Sequence, residues 1–260
     1  MFRKLGVQLY TIRDYMADGA AIDASLARLA ELGYTEAHTA GCQIDSAEFA
    51  ALLAKHGIRV VGTHYDYGKI INAREETIAL HKLWGTTNIG IGGMPAPARS
   101  DLSELRSFIA AYNEAAKYYA EQGFKLTYHN HSFEFRRIDG YKTIMDILYE
   151  ELDPENVTFV LDTCWVAAGG ADVTAWMRKL KGRIELLHLK DVYLKRPTEC
   201  KHLVADVCEI GYGNLDWDSI MATAEQIGVS SYIVEQDRCF TPDPFESLRM
   251  SAEFLAQYKK

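Results

Sequence analysis

Eight short apolar runs alternate with eight longer helix-forming runs along this chain, and the alternation predicts an α/β protein. Strands that alternate with helices form a parallel sheet, and eight such units with no strand left over favour a closed (β/α)8 TIM barrel. The length of 260 residues suits one barrel, so residues 1–260 are predicted to form a single domain. No Gly-x-Gly-x-x-Gly follows the first run, which weakens an open dinucleotide-binding sheet.

The predicted strands are apolar runs of four to six residues: Leu5–Tyr10, Tyr34–Thr39, Arg59–His64, Asn88–Gly92, Phe124–His129, Val157–Asp162, Ile184–His188 and Tyr232–Glu235. The predicted helices are the longer runs between them: Ala20–Leu32, Ala47–Lys55, Glu75–Trp84, Leu102–Gln122, Tyr141–Glu150, Val173–Leu180, Trp217–Gln226 and Pro244–Tyr258. Aspartates stand at N-cap positions, and glycines such as Gly33 and Gly123 stand just beyond helix ends. The long connection from Asp191 to Asp216 is typical of a functional lid.

Composition narrows the classes of function. The net charge of −8 argues against binding to phosphate backbones, which requires a basic surface. No apolar run reaches the length of about 18 residues that a membrane helix needs. The basic start lacks the apolar stretch of a signal peptide, and the five cysteines include no Cys-x-x-Cys pair. A reduced, cytoplasmic location is the simplest expectation.

Polar side chains stand at the carboxyl ends of the predicted strands, where barrel enzymes build their active sites. Imidazoles and carboxylates in one group suit a single divalent ion such as Mn²⁺, Zn²⁺, Co²⁺ or Mg²⁺. No cysteine lies among them, which disfavours a thiolate zinc site. These strand-end residues are His64, His129, His131, Asp162, His188, Lys190 and Glu235.

Five segments carry a resemblance to a known family: Tyr128-His129-Asn130-His131, Leu161-Asp162-Thr163, His188-Leu189-Lys190-Asp191, Gly211-Tyr212-Gly213 and Val234-Glu235. On these motifs the whole chain resembles the sugar phosphate isomerase/epimerase family, the xylose-isomerase-like barrels. The resemblance implies one divalent metal ion, with ligands carried over to Asp162, His188 and Glu235. His129 stands where the family usually has a glutamate and is the first candidate for the fourth ligand; the alternatives are His131 and Glu134.

The resemblance implies an isomerase or epimerase that moves a proton next to the carbonyl of a sugar, polyol or keto-sugar. Glu235 is the expected base on one face of the substrate, and His131, oriented by Glu134, is the expected acid/base on the other. Lys190 would stabilise the developing oxyanion. Because a histidine replaces the strand-five glutamate, a lyase or dehydratase acting on a keto-sugar or keto-glycoside is the alternative. A DNA-repair endonuclease of the same superfamily is a weaker one.

The remaining predictions concern substrate contacts and structural residues. Tyr10 and His64 are expected to contact the carbohydrate, and Trp165, which replaces a substrate-contacting histidine of relatives, to stack on a sugar ring. Asp191 and the Gly211-Tyr212-Gly213 turn are expected to be structural. The resemblance leaves a homo-oligomer open. The other four histidines are expected to be ordinary structural residues: His38, His56, His81 and His202.

Overall fold

A computed structural model of the protein describes residues 4–197 and 202–260. Eight parallel strands close into a barrel, which confirms the predicted (β/α)8 fold. The barrel strands are β1 (Leu5–Gln8), β2 (Tyr34–Thr39), β3 (Arg59–His64), β4 (Asn88–Ile91), β5 (Lys125–His129), β8 (Val157–Asp162), β9 (Ile184–Leu189) and β12 (Ser231–Val234). Around the ring they follow the order β1-β12-β9-β8-β5-β4-β3-β2. Two antiparallel hairpins lie outside it: β6 (Arg137–Asp139) with β7 (Lys142–Thr143), and β10 (Asp191–Lys195) with β11 (Val204–Cys208).

Ten α-helices occur in the described part of the chain, and they include all eight that the sequence predicts. They are α1 (Gly19–Glu31), α2 (Ser46–Lys55), α3 (Tyr67–Asn72), α4 (Arg74–Leu83), α5 (Leu102–Glu121), α6 (Ile144–Glu151), α7 (Thr163–Ala168), α8 (Val173–Lys179), α9 (Trp217–Ile227) and α10 (Pro244–Leu255). Short 3-10 helices occupy Leu9–Tyr15, Ala96–Arg99, Phe133–Phe135 and Ala256–Tyr258. None of the described helices is both long and apolar enough to cross a membrane.

Several element boundaries differ from the prediction, and two short helices were not predicted. The first strand stops at Gln8 instead of Tyr10, because the Gln8 side chain accepts a hydrogen bond from the Tyr10 amide and starts a 3-10 helix. The helix predicted from Tyr141 begins at Ile144, because Thr143 and Asp146 form a capping box after the β6–β7 hairpin. The short helices α3 and α7 lie in segments predicted as loops, where they lengthen the connections at the carboxyl end of the barrel.

The barrel interior changes from apolar to polar along its axis. Leu186 and Ile233 precede His188 and Glu235 by two residues and therefore share their strand faces. With Val61 and Val160, they form a small buried cluster separate from the main core. This cluster is the apolar floor of a polar layer at the carboxyl end, which is the end that carries active sites in this fold.

The long connection after β9 is a hairpin anchored by one buried carboxylate. Asp191 accepts hydrogen bonds from the amides of Val192, Gly211, Gly213 and Leu215 and from the Trp217 indole. Gly211 has a φ of 88°, and a Cβ at Gly213 would collide with the Asp191 carboxylate. Asp191 and the glycine turn are therefore structural, as predicted. Residues 198–201, which include Cys200, lie outside the described residues, as do residues 1–3 of the signal-peptide prediction.

His81 is a buried structural histidine, as the sequence analysis expected. Its Nδ1 lies 2.7 Å from the Thr77 carbonyl oxygen, and its Nε2 lies 2.8 Å from Thr63 Oγ1. Burial lowers the pKa of His81 from 6.5 to about 4. The folded protein therefore keeps the His81 ring neutral. This costs no free energy at pH values at which the unfolded chain also leaves the ring unprotonated.

We expect Asp191→Ala to lower the free energy of unfolding by about 2–4 kcal/mol, because several donors lose their acceptor at once. Asp172→Ala is the matched control, since exposed Asp172 caps a helix by accepting only from Thr174 and Ala175. It should cost about 1 kcal/mol. Urea unfolding measures both, and equal losses would contradict the anchoring role of Asp191.

Stability should fall on acidification partly through His81. The unfolded chain binds this proton near pH 6.5 and the folded chain only near pH 4, so the contribution is full above the first value and lost towards the second. His81→Gln removes this titration. As the pH is lowered, the free energy of unfolding of the variant should fall less steeply than that of the wild type, by up to about 1.4 kcal/mol per pH unit. Parallel pH profiles would contradict this origin.

Candidate functional site

Four buried side chains converge at the carboxyl end of the barrel. His129 ends β5, Asp162 ends β8, His188 lies in β9, and Glu235 directly follows β12. These four strands are consecutive in the ring, so their ends meet along one side of the mouth. One ligand atom from each residue lies within 4.8 Å of the others. The sequence predicted these four residues as a set, and the fold brings them together.

The contacts within this set are those of a compact polar cluster. His188 Nδ1 lies 3.0 Å from Glu235 Oε2. His129 Nε2 lies 3.6 Å from Asp162 Oδ2 and 3.8 Å from Glu235 Oε2. Burial, together with the neighbouring imidazole His188, keeps the pKa of His129 well below its ordinary value. His129 is therefore neutral at physiological pH and has a lone pair available to a metal ion.

Lys190 is fully buried among three carboxylates, so it is not a surface lysine. Its Nζ lies 3.0 Å from Asp162 Oδ2, 2.9 Å from Glu235 Oε2 and 2.6 Å from Asp237 Oδ2. Burial opposes its charge, but the three carboxylates outweigh burial and raise the pKa of Lys190 well above its ordinary value. Burial likewise opposes ionisation of Glu235, yet Lys190 and His188 hold the pKa of Glu235 well below its usual range.

The cluster fits a divalent cation on two observations. Among the described residues, neither ring nitrogen of His129 has a hydrogen-bond partner, and Asp162 Oδ2 accepts no hydrogen bond although Lys190 is close. Three carboxylates against one ammonium also leave two negative charges when all are ionised. Two imidazoles and two carboxylates are donors that Mn²⁺, Zn²⁺ and Co²⁺ accept. The residues that would hold the ion are His129, Asp162, His188 and Glu235.

Neighbouring residues fix the direction of these donors. Asn130 Oδ1 accepts from the Asp162 amide at 3.0 Å, while Asp162 Oδ1 accepts from the Trp165 amide at 2.9 Å. This leaves Asp162 Oδ2 directed into the cluster. Thr163 Oγ1 donates to the Lys190 carbonyl at 2.7 Å and lies 3.1 Å from the Lys190 amide, which ties the end of β8 to the end of β9.

Glu134 lies beside the cluster and supports its backbone. One carboxylate oxygen accepts from the Tyr128 hydroxyl at 2.7 Å, and the other accepts from the His131 amide at 2.8 Å. The His131 Nδ1 atom is 3.9 Å away, too far for the direct hydrogen bond that was expected to orient the ring. Both Glu134 oxygens are thus engaged outside the cluster, so the geometry favours His129 as the ligand from β5.

His131 lines a cavity of about 280 Å³ at the barrel mouth. Its ring stacks on Phe133 at a centroid distance of 5.5 Å and lies 4.9 Å from the His129 ring. Its side chain is 33% exposed, so a substrate can reach it. The predicted substrate contacts line the same cavity, together with Glu235 and Asp237: Tyr10, His64 and Trp165.

His38, predicted to be a structural core residue, is buried and hydrogen-bonded at the edge of the site. His38 Nδ1 lies 3.2 Å from His188 Nε2 and 2.7 Å from Gln8 Nε2, so it belongs to the site network. Gln8 Nε2 also lies 3.4 Å from His64 Nδ1. Because Gln8 Oε1 accepts from the Tyr10 amide, its amide nitrogen faces the two imidazoles. The one sequence signal is that His38 stands next to the carboxyl end of the predicted strand Tyr34–Thr39; its pairing in register with Gln8 is seen only in the structure.

Curated relatives match only parts of the chain. An inosose dehydratase of Mesomycoplasma hyopneumoniae (strain 7448) is 32% identical over 98 residues, which cover 38% of this chain and 32% of that protein. An inosose dehydratase of Geobacillus thermodenitrificans (strain NG80-2) is 26% identical over 152 residues, covering 53% of this chain and 49% of that protein. The matched segments thus span about a third to a half of these relatives' lengths.

The whole chain matches solved structures in fold. A sugar phosphate isomerase/epimerase from Parabacteroides distasonis superposes with a TM-score of 0.82 at 23% identity, covering 100% of this chain and 96% of that one. The family model described as Xylose isomerase-like TIM barrel matches residues 26–258, which is nearly the full barrel. The chain therefore belongs to the xylose isomerase-like TIM barrel family.

Proposed function

We propose that this protein is a metal-dependent enzyme that removes the proton next to the carbonyl of a keto-sugar or keto-glycoside and then expels a β-substituent, as a lyase or dehydratase. The observation that carries the proposal is the buried set of His129, Asp162, His188 and Glu235 beside a cavity that exposes His131. A divalent ion held by that set supplies polarisation of the substrate carbonyl. The matched inosose dehydratases support the elimination outcome.

The protein's own groups supply proton transfer and charge stabilisation. Glu235 is ionised, as a base must be, and its carboxylate takes the proton from the carbon next to the carbonyl. The electron pair of the broken C–H bond forms a carbon–carbon double bond, and the carbonyl pair moves onto oxygen to give an enediolate. The Lys190 ammonium, hydrogen-bonded to Asp237 at the cavity, stabilises that negative oxygen.

His131 acts on the other side of the substrate. Strands β5 and β12 are three places apart in the ring of eight, and His131 and Glu235 both line the cavity, so both can reach a bound substrate. In the elimination, the oxygen pair re-forms the carbonyl, and the carbon–carbon pair of the enediolate forms a new double bond between the α- and β-carbons. The bond to the β-substituent breaks with its pair on the leaving oxygen, which takes a proton from His131. Trp165, with its ring lining the cavity, stacks on the sugar ring.

Isomerisation or epimerisation is the second candidate, because two acid/base groups that line one cavity can also reprotonate the enediolate. In that outcome His131 returns a proton to carbon, and no bond to oxygen breaks. In either reaction, the acid/base group near the end of β5 is the His131 imidazole. The Glu134 carboxylate instead accepts hydrogen bonds from the Tyr128 hydroxyl and the His131 amide.

We expect Asp162→Ala and Glu235→Ala to abolish tight binding of one divalent ion per chain, since each removes a buried ligand. His129→Ala should weaken binding. Elemental analysis after gel filtration measures retained metal, and Glu36→Gln is the control because Glu36 is a buried carboxylate paired with Arg59 away from the cluster. Full retention in both alanine variants would contradict the ligand set. Loss of metal in Glu134→Ala but not His129→Ala would reassign the fourth ligand to Glu134.

We expect His131→Asn to keep metal and fold but to lose about 10²–10⁴-fold in turnover, as befits an acid/base group. His56→Asn is the control, because His56 pairs with Asp23 at the surface. Candidate ketoses and keto-glycosides incubated in D₂O provide the substrate assay, with NMR detection of the exchanging carbon. Exchange with loss of a substituent supports the lyase, and exchange with a rearranged sugar supports the isomerase or epimerase.

A direct hydride shift would contradict both outcomes. It would leave every carbon-bound hydrogen unexchanged in D₂O and leave turnover insensitive to His131→Asn. The same result would not affect the metal-binding experiment, so the ion site and the proton-transfer mechanism are tested separately.

A further inference from the structure

The three carboxylates around Lys190 are not equivalent. The contact with Asp237 is a hydrogen bond, in which Nζ donates to Oδ2 at 2.6 Å. Asp162 Oδ2 lies 3.0 Å from Nζ but accepts no hydrogen bond within the described residues. The Lys190 ammonium thus donates its hydrogen bond to Asp237 and is held near Asp162 and Glu235 by charge.

The carboxylates also differ in exposure and in membership of the ligand set. The side chains of Asp162 and Glu235 are 0% and 6% exposed, whereas Asp237 is 33% exposed at the cavity wall. Asp237 does not belong to the group of four donors that can hold one ion. It offers Lys190 a partner outside that group.

A divalent ion and the ammonium cannot share the same two oxygens without strong repulsion, because like charges a few ångströms apart in a buried site are poorly screened. Without any cation, two buried carboxylates would face each other unpaired, which is also unfavourable. In its observed position, the Lys190 ammonium neutralises the two buried carboxylates. Its hydrogen bond to Asp237 lets the ammonium avoid repulsion from a divalent ion that binds the same carboxylates.

Resting on the proposed metal dependence, we propose that Lys190 is a built-in counter-cation that neutralises Asp162 and Glu235 in the metal-free protein and pairs with Asp237 alone when a divalent ion binds. Asp237 is then a positioning residue that sets metal affinity without touching the metal. Lys190 competes with the ion, and Asp237 relieves that competition.

A double-mutant cycle with Mn²⁺ as the probe tests this exchange. Isothermal titration calorimetry gives Kd for the wild type, Asp237→Asn, Lys190→Met and the double variant. We expect Lys190→Met to bind Mn²⁺ more tightly than the wild type. Asp237→Asn should weaken binding by about tenfold when Lys190 is present and by clearly less when it is absent, because coupled neighbours give non-additive effects.

Two controls separate this coupling from net charge. Asp14→Asn removes an exposed carboxylate that forms no ion pair with Lys190 within the described residues, and it should leave Kd nearly unchanged. Asp237→Glu keeps an acceptor for the ammonium and should recover most of the lost affinity. This comparison needs only variants at a partly exposed position, so it remains decisive even if Lys190→Met does not fold.

Thermal unfolding gives a readout independent of calorimetry. Metal-free Lys190→Met should melt at a lower temperature than metal-free wild type, and Mn²⁺ should raise its Tm by more than it raises that of the wild type. An equal effect of Asp237→Asn in both backgrounds, or no recovery by Asp237→Glu, would overturn the exchange. Absence of Mn²⁺ binding in every variant would overturn it too, whereas the D₂O exchange assay would still decide the proposed proton transfer.

Discussion

The pairing of one buried ammonium with buried carboxylates is the constraint on which the barrel mouth depends. Lys190 is fully buried, and charges in such a position persist only when they are paired. Its contacts join Asp162 of β8, Glu235 after β12 and Asp237, so charge reinforces the backbone pairing of β9 with β8 and β12. The same charges determine what else the site can bind, because three ionised carboxylates against one ammonium leave two negative charges.

The surrounding structure serves to hold this cluster in place. Thr163 and Asn130 fix the backbone of Lys190 and Asp162, and Glu134 fixes the turn that presents His131. Asp191 anchors the hairpin that follows the lysine. A floor of buried aliphatic side chains lies beneath the polar layer and lowers the local polarity, which strengthens electrostatic interactions within the layer. Fold and site are thus joined through a few buried acceptors at strand ends.

The sequence predicted the barrel and the site residues that follow strand ends, because period and position determine which side chains face the mouth. It predicted Lys190 as an active-site cation but could not predict its three carboxylate partners, since a long side chain can reach several partners. Glu134 was also ambiguous, because its spacing from His131 allows a contact with ring or backbone, and only the Tyr128 hydroxyl decides. His38 was missed because a single buried histidine is usually structural; its role depends on Gln8 and His188 from distant strands.

The most direct test of the central claim is a crystal structure of the protein grown with Co²⁺, with anomalous diffraction measured at the cobalt edge. The account predicts one ion per chain bound by His129, Asp162, His188 and Glu235, with the Lys190 ammonium moved from the ligand carboxylates to Asp237 alone. An ion at another position, or an ammonium still lying between Asp162 and Glu235 in cobalt-loaded crystals, would contradict it.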